Sequence, residues 1–150
     1  MQKYVLVHTR NQIAGKVLLI QSPKGKLNLL GGKVEKGKTE TSAAMWFLKK
    51  DAGVSCLLPS FCGAILRDDS IVYCYSVNAV DAALQDNKKN VEWFELSKVL
   101  SDSRLMPELK ILIPLLHMDV NGWILNNNKN MQNEHEVTLS FDVKNYYSGK

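Results

Sequence analysis

The order of strand, turn and helix signals along this chain predicts an α/β (α+β) fold built on a mixed sheet. Three features predict it. Apolar and β-branched runs bounded by Gly, Pro, Asn and Asp recur between residues 3 and 94; segments 39–51 and 107–117 carry helical spacing; and a strictly alternating run, Val137–Val143, closes the described pattern. Strands interleaved with a few helices bury their apolar faces most simply as a sheet with helices packed against it.

Lys3–Thr9 is apolar and β-branched enough for a first strand, and Lys16–Gln21 reads as a second, more buried one, with Asn11 and Gly15 in the turn between them. Ser22-Pro23-Lys24-Gly25 forms the next turn, and Leu27–Leu30 is a short extended piece running into Gly31-Gly32. After a loop, Lys33–Lys38, a helix is expected over Thr39–Asp51. Thr39 or Thr41 can cap its start, Ala43, Ala44, Phe47 and Leu48 give the spacing, and Gly53 stops it. Phe61–Leu66 and Ser70–Val77 form a hairpin turning at Asp68-Asp69, which leaves Arg67 on an exposed loop and sets Tyr73 and Tyr75 on one face of a strand. Val91–Phe94 is a further strand, followed by a turn of helix at Ser97–Leu100. Pro107 opens a second helix, Pro107–His117, with Glu108 at the positive end of its dipole and Pro114 placed to kink it. Asn121–Leu125 starts a strand, Asn126–Glu136 is polar and loop-like, and Val137–Val143 returns with Val137, Leu139, Phe141 and Val143 on one face; Lys144–Lys150 is expected to fray. This predicts one domain over residues 1–118 and a C-terminal extension over 119–150, a β-hairpin packed on the same domain.

Composition narrows the function classes. The chain has 150 residues, 45% of them hydrophobic and 23% charged, enough for a packed core. No apolar run approaches the roughly 20 residues of a membrane helix. Met1–Arg10 lacks the charged, apolar and small-residue succession of a secretory signal, so the expected setting is cytoplasmic. A net charge of +4 favours anionic ligands in general but lacks the clustering of a dedicated nucleic-acid binder. Cys56, Cys62 and Cys74 form no C-x-x-C pair, and His8, His117 and His135 stand at no metal-ligand spacing to them. Half-buried reduced thiols are the expectation.

The stretch from Leu27 to Val54 resembles the Nudix box, G-x(5)-E-x(7)-R-E-U-x-E-E-x-G-U, where U is aliphatic. With Gly32 as the first glycine, Leu48 takes the central aliphatic slot and Gly53-Val54 the closing pair. Val91-Glu92-Trp93-Phe94-Glu95-Leu96 resembles the late tryptophan-bearing strand of the same superfamily, so the likeness spans roughly residues 3–117. It implies a Nudix-like (MutT-like) α/β/α sandwich with a mixed sheet, to which the C-terminal hairpin is added. In that family the helix carboxylates hold Mg²⁺ or Mn²⁺, hard cations that favour oxygen ligands, and the metal neutralises a diphosphate and activates water.

Here the ligand slots have changed. Lys38 stands at the first glutamate, Trp46 at the arginine, Phe47 at the glutamate after it and Lys50 at the first of the final pair; Asp51 alone is acidic. Three readings follow. The first is a catalytically impaired Nudix-fold protein, a pseudoenzyme that binds a nucleotide or other phosphate-bearing small molecule, or a protein partner, through Gly31, Gly32, Lys38, Phe47 and Lys50, with no metal cofactor. An ammonium contacts phosphate directly, whereas the plainer reading of Lys38 and Lys50 is a hydrated surface; Phe47 stacks on a base or belongs to the core. The second is an active hydrolase of a nucleoside diphosphate linked to another moiety, using Mg²⁺ or Mn²⁺ at a divergent site of Asp51, Glu35 or Glu40. Glu40 and Asp51, eleven residues apart on a helix, lie about 16 Å apart along its axis and cannot share one ion. The third is a protein-interaction module whose strand Val137–Val143 pairs with another chain's edge.

Overall fold

A computed structural model describes residues 1–11, 13–55, 58–79, 90–118, 120–129, 132 and 135–141. The expectations for Cys56, Val143 and the end from Lys144 to Lys150 fall outside them.

Nine strands form one sheet: β1 (Gln2–Asn11), β2 (Lys16–Gln21), β3 (Leu27–Asn28), β4 (Leu30–Lys33), β5 (Ser60–Leu66), β6 (Ser70–Asn78), β7 (Val91–Glu95), β8 (Trp123–Lys129) and β9 (His135–Phe141). Its order is β3-β2-β1-β6-β5-β8-β9, with β4 paired to β1 and β7 to β2. The β1–β6 and β5–β8 pairs are parallel and the rest antiparallel, so the sheet is mixed. The helices are α1 (Glu40–Ala52), the single turn α2 (Leu96–Val99) and α3 (Leu109–His117).

Alternation along β1 divides the core. Val5 and Val7 join Ala43, Ala44 and Leu48 of α1, whereas Tyr4 and Leu6 pack toward Leu109, Leu112, Ile113 and Leu116 of α3. The two helices therefore cover opposite faces of the sheet. Trp123 of β8 is the largest side chain on the α3 side and is 1% exposed; its indole N–H donates to Val120 O at 2.9 Å. Gly63 lies against it, where any Cβ would meet the indole.

Local chemistry sets the ends of α1. Thr39 Oγ1 accepts from Ser42 N at 3.1 Å, and Gly53 stops the helix at φ 70°, its N–H donating to Lys49 O. The turn Ser22–Gly25 closes with Gly25 N donating to Ser22 O, and the β5–β6 turn with Arg67 N donating to Ser70 O.

Elsewhere pairing overrides local preference. Leu27–Leu30 is not one extended piece: Leu27 and Asn28 pair with β2, whereas Leu30 onward pairs with β1, and the chain changes partner at Leu29. The first strand runs on to Asn11 because β6 accompanies it in parallel register from Gln2 to Arg10. Pro107 and Glu108 form a turn ahead of α3, and Pro114 lies inside that helix without an N–H for the carbonyl of Lys110. Within the segment Asn126–Glu136, expected as a loop, Asn126–Lys129 and His135–Glu136 are strand, because Asn126, Asn127 and Asn128 pair with Thr138, Val137 and Glu136. Strand propensity is decided by partners as much as by residue type. The strand expected from Asn121 starts two residues later, after Gly122 at φ 76°. Cys62 and Cys74 are fully rather than half buried, and burial pushes the Cys74 thiol well above its ordinary range.

Candidate functional site

The glycine pair that follows Leu30 places the site. Gly31 is held at φ 155° with its Cα so close to β1 that a Cβ would strike Val5 O. At Gly32 a Cβ would run into the Phe47 ring instead. Phe47 thus reaches from α1 back onto the bare backbone of β4, and glycine at 32 is what admits the ring.

Beside that contact lies a cleft of about 360 Å³ lined by Lys33, Glu35, Lys38, Ser42, Trp46 and Phe47. Glu35 and Lys38 are exposed residues of the loop before α1, where Lys38 N donates to Glu35 O and Gly37 turns at φ 84°. Trp46 is 54% exposed and meets Phe47 edge-on, with centroids 4.9 Å apart. Lys50 Nζ stands 4.7 Å from the centre of the Trp46 ring and 5.9 Å from that of Phe47. Trp46 and Phe47 give the cleft an aromatic wall, Lys33 and Lys38 supply its ammonium groups, and Lys50 lies on the same two rings outside the lining.

The structure brings Lys38, Phe47 and Glu35 together and sets Gly32 behind Phe47. Lys50 is on the aromatic pair next to them. Glu40 is elsewhere: it opens α1 and accepts from Lys3 Nζ at 3.1 Å. Its own backbone N–H and then Lys3 hold its carboxyl below the usual range. Asp51 lies half-buried in the last turn of the same helix, at the opposite end from Glu40. Among the described residues no group of three His, Cys, Asp or Glu side chains is placed to hold a metal ion.

A second pocket, about 380 Å³, opens on the α3 side and is lined by Tyr4, Leu6, Asn28, Gly31, Gly32 and Glu108 among others. Gly31 and Gly32 line this pocket, while Gly32 also backs the Phe47 ring of the cleft. Glu108 is fixed there between Arg67, 2.5 Å from its Oε1, and Asn127, whose amide donates to Oε2 at 2.7 Å. Lys33 and Ser42 in the cleft, and Arg67, Glu108 and Asn127 here, are polar groups that sequence reasoning did not place in a site. Lys33 had a signal in its position directly after the glycine pair; the Arg67–Glu108–Asn127 contact joins three distant elements and had none.

With this geometry in hand, comparison with solved structures decides the architecture. The mutator MutT protein from Bacillus halodurans superposes with a TM-score of 0.74, covering 93% of this chain and 98% of that one at 16% identity. A NUDIX-family hydrolase from Clostridium perfringens (TM-score 0.63, 17% identity, 78% and 96% covered) and the MutT protein from Methanosarcina mazei Go1 (0.63, 19%, 79% and 94%) align similarly. The chain has the Nudix fold. No family model matches the sequence, and no curated protein does. At these identities the likeness establishes the Nudix architecture, with β8 and β9 as its C-terminal hairpin, and not the chemistry. No helix among the described residues is long and apolar enough to cross a membrane.

Proposed function

We propose that this Nudix-fold chain binds a nucleotide-like, phosphate-bearing ligand in the cleft of Lys38 and Phe47, without a divalent metal and without hydrolysing it. The observation that carries the reading is the Phe47 ring seated against Gly32, in a cleft whose charged lining is Lys33 and Lys38 against one carboxylate, Glu35. Mg²⁺ and Mn²⁺ require several oxygen ligands. A single exposed carboxylate, an aromatic wall and ammonium groups are a donor set that does not fit them.

The same groups suit an anion. Lysine contacts phosphate oxygens as a point charge with three donors, and Trp46, more than half exposed, offers aromatic surface to a base or another flat group. Lys50 is engaged with the Trp46 ring, but a cation–π contact at an exposed site is worth about 0.5–1 kcal/mol. A hydrogen bond to a charged group contributes about 1.5–3 kcal/mol, so the ammonium gains by moving from ring to phosphate. Glu40, tied to Lys3, and Asp51, at the far end of α1, are not assembled with Glu35 for the hydrolase alternative.

The test is calorimetry of a nucleoside diphosphate in EDTA. Binding is expected for the unaltered protein and its loss in the Lys38→Glu, Lys50→Glu double variant; equal affinity in both would end the reading.

A further inference from the structure

The cleft ends at Trp46 and Phe47, but the face of α1 that forms its wall runs on. Ser42, Trp46 and Lys50 stand four residues apart in turn, so they share one side of the helix. Lys38, directly before the cap Thr39, lines the cleft with Lys33 and Ser42 at the start of that face. Lys50 stands at its other end, about 12 Å from Ser42 along the axis. Between them lies Trp46, 54% exposed.

Ammonium, aromatic ring and ammonium follow in the order in which a nucleic-acid strand presents phosphate, base and phosphate. Proteins hold single strands in this way, stacking bases on aromatic side chains beside a cationic track. The negative groups nearby do not break the track. Glu35 is the one carboxylate in the lining, and Glu40 is tied to Lys3. Lys49 stays outside it, donating to Ser55 Oγ at 3.2 Å. The sequence shows no basic run here because Lys33, Lys38 and Lys50 are spaced apart along it; the loop and α1 gather them around one tryptophan.

Resting on the nucleotide reading of the cleft, we infer that its full ligand is a stretch of single-stranded nucleic acid. One phosphate sits at Lys33 and Lys38, a base lies on Trp46, and the next phosphate sits at Lys50. A single movement serves two of these contacts. Lys50 Nζ lies 4.7 Å from the centre of the Trp46 ring, so its departure toward a phosphate uncovers the ring that the base then takes. A mononucleotide has no second phosphate on the far side of its base to draw Lys50 away. A duplex has no base to offer, since its bases are already stacked within the helix.

The test is fluorescence anisotropy of labelled octathymidylate with the full chain in EDTA. Thymidine diphosphate, octauridylate and a duplex of the same length serve as competitors. The octamer should bind about tenfold tighter than the diphosphate or the duplex, and the octauridylate arm tells RNA from DNA. Trp46→Ala should weaken octamer binding about tenfold, as loss of a stacked base does. Lys50→Gln should reduce the slope of log affinity against log salt by about 0.7, the value of one single-strand phosphate contact. Both side chains are exposed, and circular dichroism should show each variant folded. An octamer bound no tighter than the diphosphate, a duplex that competes equally, or octamer affinity indifferent to both substitutions would overturn the inference. Diphosphate binding without the octamer's advantage would leave the mononucleotide reading standing; binding of neither would end both.

Discussion

Mild acid should destabilise this protein through His8. The ring lies on the α3 side of β1, fully buried, with neither nitrogen hydrogen-bonded. His117 meets it edge-on at 5.8 Å, and Arg10 donates from Nη1 to the last carbonyls of α3, Leu116 O and His117 O, both at 3.1 Å. Burial above all, then His117 and Arg10, lowers the His8 pKa from 6.5 to about 3. The folded chain therefore keeps His8 neutral while the unfolded chain protonates it below pH 6.5. The unfolded state binds more protons throughout that window, so stability is full above pH 6.5 and falls as pH drops toward 3. Each pH unit inside the window costs about 1.4 kcal/mol, hence about 2 kcal/mol between pH 6.5 and 5. Against a typical total of about 5–15 kcal/mol this is a large share. Urea unfolding of the unaltered protein and of His8→Leu at pH 7 and pH 5 isolates the term, because Glu40 and Asp102 have carboxyl pKa values lowered by their partners and titrate at lower pH. The variant should lose about 2 kcal/mol less than the unaltered protein over this interval. Parallel losses in the two proteins would refute the argument.

Two further changes probe the helix that carries the site. Gly32→Ala drives a Cβ into the Phe47 ring and should cost about 1–3 kcal/mol in urea unfolding; adding Phe47→Ala should recover part of that loss, a coupling that a double-mutant cycle reads directly. Thr39→Ala removes the acceptor for Ser42 N and should destabilise by about 1 kcal/mol, seen as a lower melting temperature with ligand binding in the cleft unchanged.

What the residues disclosed, and what they withheld, follows the reach of the interactions. Of the two caps the sequence offered, Thr39 and Thr41, the structure uses Thr39, and Gly53 ends α1 as expected, because caps are settled within one turn of chain. The Nudix architecture was legible from the glycine pair, the aliphatic slots and the late tryptophan, all of which shape backbone or pack a helix. The break at Leu29 was not, since it depends on two strands competing for neighbouring residues. Nor was the strand through Asn126–Asn128: asparagine disfavours sheets, and only the partner β9 holds it there. Lys38 and Phe47, both named from the sequence, line one cleft. Lys50 rests on Trp46, four residues earlier; that spacing puts the two on one helix face and was available to a closer reading. Gly31 and Gly32, named for the same ligand site, line the α3-side pocket, with Gly32 also against Phe47. His8 gave no signal, since it is packed against His117 of α3, more than a hundred residues later in the chain.

The most direct test of metal-free binding is to measure nucleoside diphosphate affinity with EDTA and again with excess Mg²⁺, and to recover the nucleotide afterwards. The lysine and aromatic cleft predicts affinity that needs no metal, weakens as Mg²⁺ shields the phosphates, and leaves the nucleotide intact. Affinity that arises only with Mg²⁺, or release of a nucleoside monophosphate, would contradict it.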